Sequence, residues 1–189
     1  MPDLVSPDNF ARAESDLYFS NIVKDGGFAA LHHIRELSPI DNQLVIRQNR
    51  DTLYSTAVFD LDAGDVTVTL PDSAGRFMAL QVITEDHYVP AVVYAPAVLT
   101  LTRGSVGTRY VAVAIRTLVD PNNPADIDAV HALQDAVAVT QAGSGVFEIE
   151  DGSDRWEVGV YFTDPPDEIA LALLAAAHGA QPFAVSRLP

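Results

Sequence analysis

The sequence contains no cysteine. Disulfide bridges, thiolate nucleophiles and cysteine-ligated zinc are therefore excluded, and any metal would have to be held by His and carboxylate side chains. Cations are scarce as well: 11 Lys and Arg stand against 26 Asp and Glu, a formal net charge of -15 at pH 7. An excess of that size repels phosphate backbones and anionic lipid, which argues against nucleic acid or a membrane surface as partner. Its ordinary use is solubility. Long hydrophobic runs are missing too. The longest, Ile169 to Ala177, falls far short of the roughly 20 apolar residues that a membrane-spanning helix needs. Met1-Pro2-Asp3-Leu4 has neither the basic region nor the apolar stretch of a signal peptide, so a soluble cytoplasmic protein is the expectation. Ser55 and Ser144 lack a Gly-x-Ser-x-Gly elbow, and no phosphate loop or dinucleotide fingerprint occurs.

The chain is long enough for one domain, residues 1–189, that buries about two thirds of its unfolded surface. Ser6-Pro7-Asp8-Asn9 reads as a helix start, with Phe10, Ala13, Leu17 and the stretch Phe19 to Ile22 on an apolar side and Gly26-Gly27 as the stop. A second helix over Phe28 to Glu36, ended by Ser38-Pro39, would make residues 1–40 a helical hairpin. From Leu44 the period changes. Leu44-Val45-Ile46, Thr56 to Phe59, Val66 to Leu70, Phe77 to Ile83, Ala91 to Tyr94, Val98 to Thr102 and Tyr110 to Thr117 are short runs rich in β-branched residues, separated by turn material. Residues 41–120 thus predict an antiparallel β-sandwich or partly closed barrel, and the whole an α+β fold.

Asn123-Pro124 is a cap and first-turn pair opening a helix to about Thr140, whose Ile127, Val130, Leu133 and Val137 share a face that covers the sheet, so that residues 121–142 form a covering helix. In residues 143–189, Trp156, Val158, Val160 and Phe162 alternate as in a half-buried strand. A last helix, Ile169 to Ala175, is apolar on nearly every side. Such a helix is either buried centrally or docked on a second copy, which makes a homo-oligomer one expected partner.

Chemistry-bearing residues concentrate at Gln48-Asn49-Arg50-Asp51-Thr52-Leu53-Tyr54-Ser55 and at Glu85-Asp86-His87-Tyr88. Asn49, Arg50, Asp51, Tyr54, Glu85, His87 and Arg116 are the candidate pocket. On one reading Asn49 and Asp51 brace a turn around a paired arginine, and Arg116 is an ion-pair partner of Asp120 or Asp51. On the other, Asn49, Arg50 and Tyr54 form a polar mouth for an anionic or hydroxylated small molecule, the guanidinium supplying a fork for a carboxylate. If the strand before Glu85 persists, Glu85 and His87 project to one face, as base and orienter or as metal ligands. A third ligand from His33 would complete a divalent-metal site of His33, Glu85 and His87. His32, His131 and His178 receive no role.

The segment Asn42 to Ser55 closely resembles the bacterial family catalogued as domain of unknown function 1254. Arg12-Ala13-Glu14-Ser15-Asp16-Leu17-Tyr18-Phe19, Gly26-Gly27-Phe28, His33-Ile34-Arg35-Glu36, Asp60-Leu61 and Leu70-Pro71-Asp72 are similar to its pattern. So are Gly75-Arg76-Phe77, Glu85 to Pro90, Gly107-Thr108-Arg109-Tyr110, Arg116 to Asp120 and Val130 to Asp135, all in the family's order. Asp65 stands where the family tends to have proline, a difference confined to a turn. The resemblance implies a following β-rich domain, catalogued as domain of unknown function 1214, yet the likeness fades after about Phe147. A site between two such domains is accordingly expected to be absent or rebuilt by another subunit. No activity follows from the resemblance. A binding or structural module and a small-molecule enzyme working by acid/base or metal-assisted chemistry both remain open.

Overall fold

The runs of Val, Ile and Thr between Thr52 and Leu118 set the architecture, because each gives a strand one apolar face that a second layer must cover. The computed structural model describes residues 3–41 and 48–149, with strand pieces at 156–157, 159–160 and 184–185. In chain order the elements are β1 (Asp3–Leu4), α1 (Phe10–Lys24), β2 (His32–Ile34), β3 (Thr52–Asp60), β4 (Val66–Leu70), β5 (Met78–Thr84), β6 (Val92–Tyr94), β7 (Ala97–Leu101), α2 (Arg103–Val106), β8 (Tyr110–Leu118), α3 (Pro124–Asp135), β9 (Ala138–Gln141), β10 (Trp156–Glu157), β11 (Gly159–Val160) and β12 (Ala184–Val185). Two antiparallel sheets result, ordered β2-β3-β8-β5-β6 and β7-β4-β9, and β1 pairs with β10 and β11 with β12 as short parallel pieces.

Alternation sorts the large sheet into two faces. Ala57, Phe59, Val111, Val113, Ile115, Met78, Leu80 and Val82 point inward to meet Val66, Val68, Leu70 and Leu101 of the small sheet. Burying each of these side chains larger than Ala57 stabilises by about 1.5–3 kcal/mol, so this shared layer is the main source of stability. The two sheets exchange no hydrogen-bonded strand among the described residues, so the α+β fold is a sandwich and not a closed barrel. Beyond the small sheet, α3 closes the inner face through Ile127 and Val130 against Leu53 and Val119. On the outer face α1 covers one half, packing Phe19, Ile22 and Val23 on Val58, Tyr110 and Ala112.

Local structure departs from the sequence expectation at three places. First, α1 starts at Phe10, not Ser6: Asn9 Oδ1 turns back to accept from Ser6 N (2.7 Å) and leaves the helix without a side-chain cap. Its buried side is made of Ala13, Ser15, Asp16, Phe19 and Ser20, so of the predicted apolar residues Ala13 and Phe19 are buried while Phe10 and Leu17 are 54% and 41% exposed. Second, there is no helical hairpin, because Phe28–Glu36 does not continue as a helix. Gly27 O accepts from Val58 N (2.7 Å) and Ala29 N donates to Val58 O (3.0 Å), so the chain is already laid against β3 before β2 begins. Gly27 permits this approach, since a Cβ there would lie 2.9 Å from Ile22 O and 3.2 Å from Thr56 O. Third, α3 stops at Asp135 where Thr140 was expected, because Ala138–Gln141 is drawn into the ladder with β4. The predicted strand at Leu44-Val45-Ile46 and the apolar helix Ile169 to Ala175, with the self-association expected of it, lie outside the described residues.

Candidate functional site

β3 and β5 run the same way, both antiparallel to β8. At about 3.3 Å per residue, the Thr52 end of β3 lies roughly 26 Å from the Asp60 end. Asn49, Arg50, Asp51, Tyr54 and Arg116 belong to the first end, Glu85 and His87 to the second. The seven residues therefore do not converge on one pocket.

At the far end β5 stops at Thr84, and residues 85–88 turn, with His87 N donating to Thr84 O (2.9 Å) and His87 itself at φ +64°. Strand alternation consequently does not align Glu85 with His87. The Glu85 carboxylate accepts from Tyr110 N (3.0 Å) and from Arg12 Nη1 (2.8 Å), while Arg12 also grips Asp86. His87 Nδ1 meets Ser15 Oγ at 3.0 Å. Helix α1 is thereby clamped to the turn by charge-assisted bonds. His33 is elsewhere, on β2, with Nδ1 2.7 Å from Ser55 Oγ. The metal set His33, Glu85 and His87 is thus not assembled, and among the described residues no group of three or more His, Cys, Asp or Glu is placed to hold a metal.

Around His33 the polar groups bind one another. Gln134, with no solvent exposure, donates from Nε2 to Tyr54 O (3.0 Å), Ser55 Oγ (3.3 Å) and Ile34 O (3.4 Å). Arg35 reaches His131 O (2.9 Å) and Asp135, and His131 Nε2 lies 3.0 Å from Arg35 O. Burial, seconded by Arg35, lowers the His33 pKa against the opposing pull of Asp135, so the imidazole is neutral at pH 7. Ser55 is 1% exposed, so this Ser–His pair is closed to any substrate. The cluster ties α3 to β2 and β3, a role for His131 and Gln134 that the helical spacing of the sequence does not signal.

A second brace is equally hidden in the sequence. Asp60 accepts from Arg109 Nε (3.1 Å) and Nη2 (2.9 Å), from Asp62 N (3.0 Å) and from Val146 N (3.3 Å). Arg109, and after it the backbone donors, lower the Asp60 pKa against the opposing effect of burial.

The near end differs. Asn49 does brace its turn, accepting from Asp51 N (2.8 Å) and donating to Thr52 Oγ1 (2.7 Å) and Tyr54 Oη (3.1 Å). Arg50 donates to Ser38 O. Asp51 is exposed, at the rim of an open hollow with Arg76, Asp120 and Asp126, and its backbone O accepts from Val119 N (2.9 Å). Arg116 makes no ion pair with Asp51 or Asp120. Its guanidinium carbon sits 5.4 Å from the centroid of the Tyr54 ring, and Nε donates to Thr52 Oγ1 at 3.4 Å. No carboxylate among the described residues lies within 4 Å of it, whereas Arg12, Arg35, Arg76, Arg103 and Arg109 all have one. Arg116 is exposed on the central strand, in the half of the outer face that α1 leaves open.

Register maps that open half. One row across the strands reads Ile34, Tyr54, Arg116, Ala79, Tyr94; the next, toward α1, reads His32, Thr56, Ala114, Gln81, Val92. Tyr94 leans edge-on to Phe77 at 6.0 Å, closing over Ala79. A low floor of Thr56, Ala114 and Gln81 is left between the α1-covered row and a ridge of Tyr54, Arg116 and Tyr94.

No curated protein matches the chain. Among solved structures it is similar to the VPA0106 protein of Vibrio parahaemolyticus, at a TM-score of 0.49 and 18% identity, over 70% of this chain and 35% of that one. The chain therefore spans only about a third of the length of that protein. Residues 28–95 match the model of the family described as Protein of unknown function (DUF1254).

Proposed function

We propose that this chain is a binding module for a small anionic ligand, received on the open half of the outer face of the large sheet. The supporting observation is Arg116, an exposed guanidinium stacked on Tyr54 with no carboxylate partner among the described residues, in a chain whose acids far outnumber its bases. Arginine carries five N–H donors. Among the described residues only Nε is engaged, by Thr52, which leaves both terminal amino groups to bind an acceptor. This reading is preferred to the acid/base and metal-assisted ones because the groups those require are divided between the two ends of a strand. Calorimetric titration of wild type and Arg116→Gln with benzoate and with inorganic phosphate tests the proposal. At least one anion should bind wild type and be weakened about tenfold or more by the substitution, the loss expected of one charge-assisted pair. Equal affinities for every anion in the two proteins would refute it.

A further inference from the structure

We infer that the ligand is a planar organic carboxylate, held with its oxygens on Arg116 and its hydrocarbon on the Ala114 floor; this rests on the anion-binding reading above. The donors come first. Tyr54 Oη already accepts a hydrogen from Asn49 Nδ2, which leaves its own O–H to donate outward beside the guanidinium. Arg116 is held in place by the Tyr54 ring beneath it and by Thr52 Oγ1 at Nε, so its terminal amino groups form a preset fork. Two parallel N–H donors and a phenol, with no acid among them, suit the two oxygens of a carboxylate.

The surroundings then separate a carboxylate from a bare oxyanion. The chain carries a charge of -15, so its long-range field opposes every anion, and recognition has to come from contact. Inorganic phosphate would gain the fork and the phenol alone. A planar hydrocarbon joined to a carboxylate would also cover the methyl of Ala114 and the methyl of Thr56 on the adjacent strand, with the aromatic edge of Tyr54 on its flank. Ala114 is the smallest side chain of its row, and on the neighbouring strand Gln81 is exposed. The site is thus level where a flat group would lie and donor-rich only at its ridge.

Backbone-amide NMR of the described protein, titrated with benzoate, benzamide, cyclohexanecarboxylate and inorganic phosphate, tests this. Benzoate should shift Thr56, Gln81 and Ala114 and bind about tenfold or more tighter than benzamide or phosphate, with cyclohexanecarboxylate between. Arg116→Gln should abolish the preference for benzoate over benzamide, and Tyr54→Phe should reduce benzoate affinity by a smaller factor. Arg116→Lys keeps the charge without the fork and serves if the glutamine variant is unfolded: weaker benzoate binding supports the inference, unchanged binding overturns it. Phosphate binding as tightly as benzoate, and lost in Arg116→Gln, would overturn the carboxylate assignment while leaving an anion-binding module standing. If benzamide matched benzoate the carboxylate assignment would fall, and if no anion responded to Arg116 both readings would fall.

Discussion

Replacing Asp60 by Asn keeps the shape of a buried side chain and removes its charge. Four donors converge on the two carboxylate oxygens, two from Arg109 and one each from the amides of Asp62 and Val146. An asparagine offers one oxygen and turns an NH2 toward Arg109 or Val146, leaving donors face to face. Breaking a wholly buried ion pair costs about 3–5 kcal/mol. Arg109 is only partly buried and keeps Glu148 at 2.5 Å, so part of that cost is recovered by rehydration. Asp60→Asn should therefore lose about 2–3 kcal/mol in urea unfolding at pH 7. Hydrogen exchange at Val146 should also accelerate, because its acceptor is gone. Since Asp60 has a lowered pKa in the folded state, the advantage of wild type is complete above about pH 4, the ordinary carboxylate value. It narrows as pH falls through the lowered value. A loss under about 0.5 kcal/mol, or unchanged exchange at Val146, would refute the claim that this carboxylate ties the 145–148 segment to β3.

Other expectations follow from the same geometry. Gly27→Ala places a methyl against Ile22 O and Thr56 O, both backbone, and should cost about 1–3 kcal/mol by thermal or urea unfolding; an unaffected midpoint would mean that α1 does not seat on β3 as described. Gln134→Leu leaves carbonyls of Ile34 and Tyr54 without their shared donor and should cost about 2–3 kcal/mol, seen as a lower Tm. Asp126 is paired with Arg76, whose hydrogen bonds hold its pKa down at about 2. Its stabilisation is complete above the unfolded carboxylate value of about 4 and is lost as pH falls toward 2, so urea midpoints between pH 4 and pH 2 should fall less in Asp126→Asn than in wild type.

The strands were legible because their signal is local: period-two alternation placed β4 at Val66 to Leu70 and β8 from Tyr110, within a residue of their ends. The second helix failed because the chain after Gly27 is governed by a partner some thirty residues away. Neither Phe28 nor His33 carries a local mark of the β3 ladder that captures them. The seven candidate residues do not come together for a related reason. Glu85 and His87 were grouped with Arg50 because their residue types suit chemistry, yet type says nothing of which end of a sheet a turn occupies. Many polar letters in the motif blocks prove to be braces: Arg12 with Glu85, Arg35 with Asp135, Arg76 with Asp126 and Arg109 with Asp60. Once those pairs are made, Arg50 and Arg116 are left without a carboxylate among the described residues, and Arg50 is taken by Ser38 O. Sequence placed Arg116 at the end of a strand but assigned it an ion pair that it does not make.

The central claim is that Arg116 and the floor beside it receive an anion. A crystal structure of the chain soaked with benzoate tests it most directly. The account predicts density for the carboxylate within hydrogen-bonding distance of the terminal nitrogens of Arg116 and of Tyr54 Oη, with the ring on Ala114. Benzoate seated elsewhere while that face stays bare would contradict it.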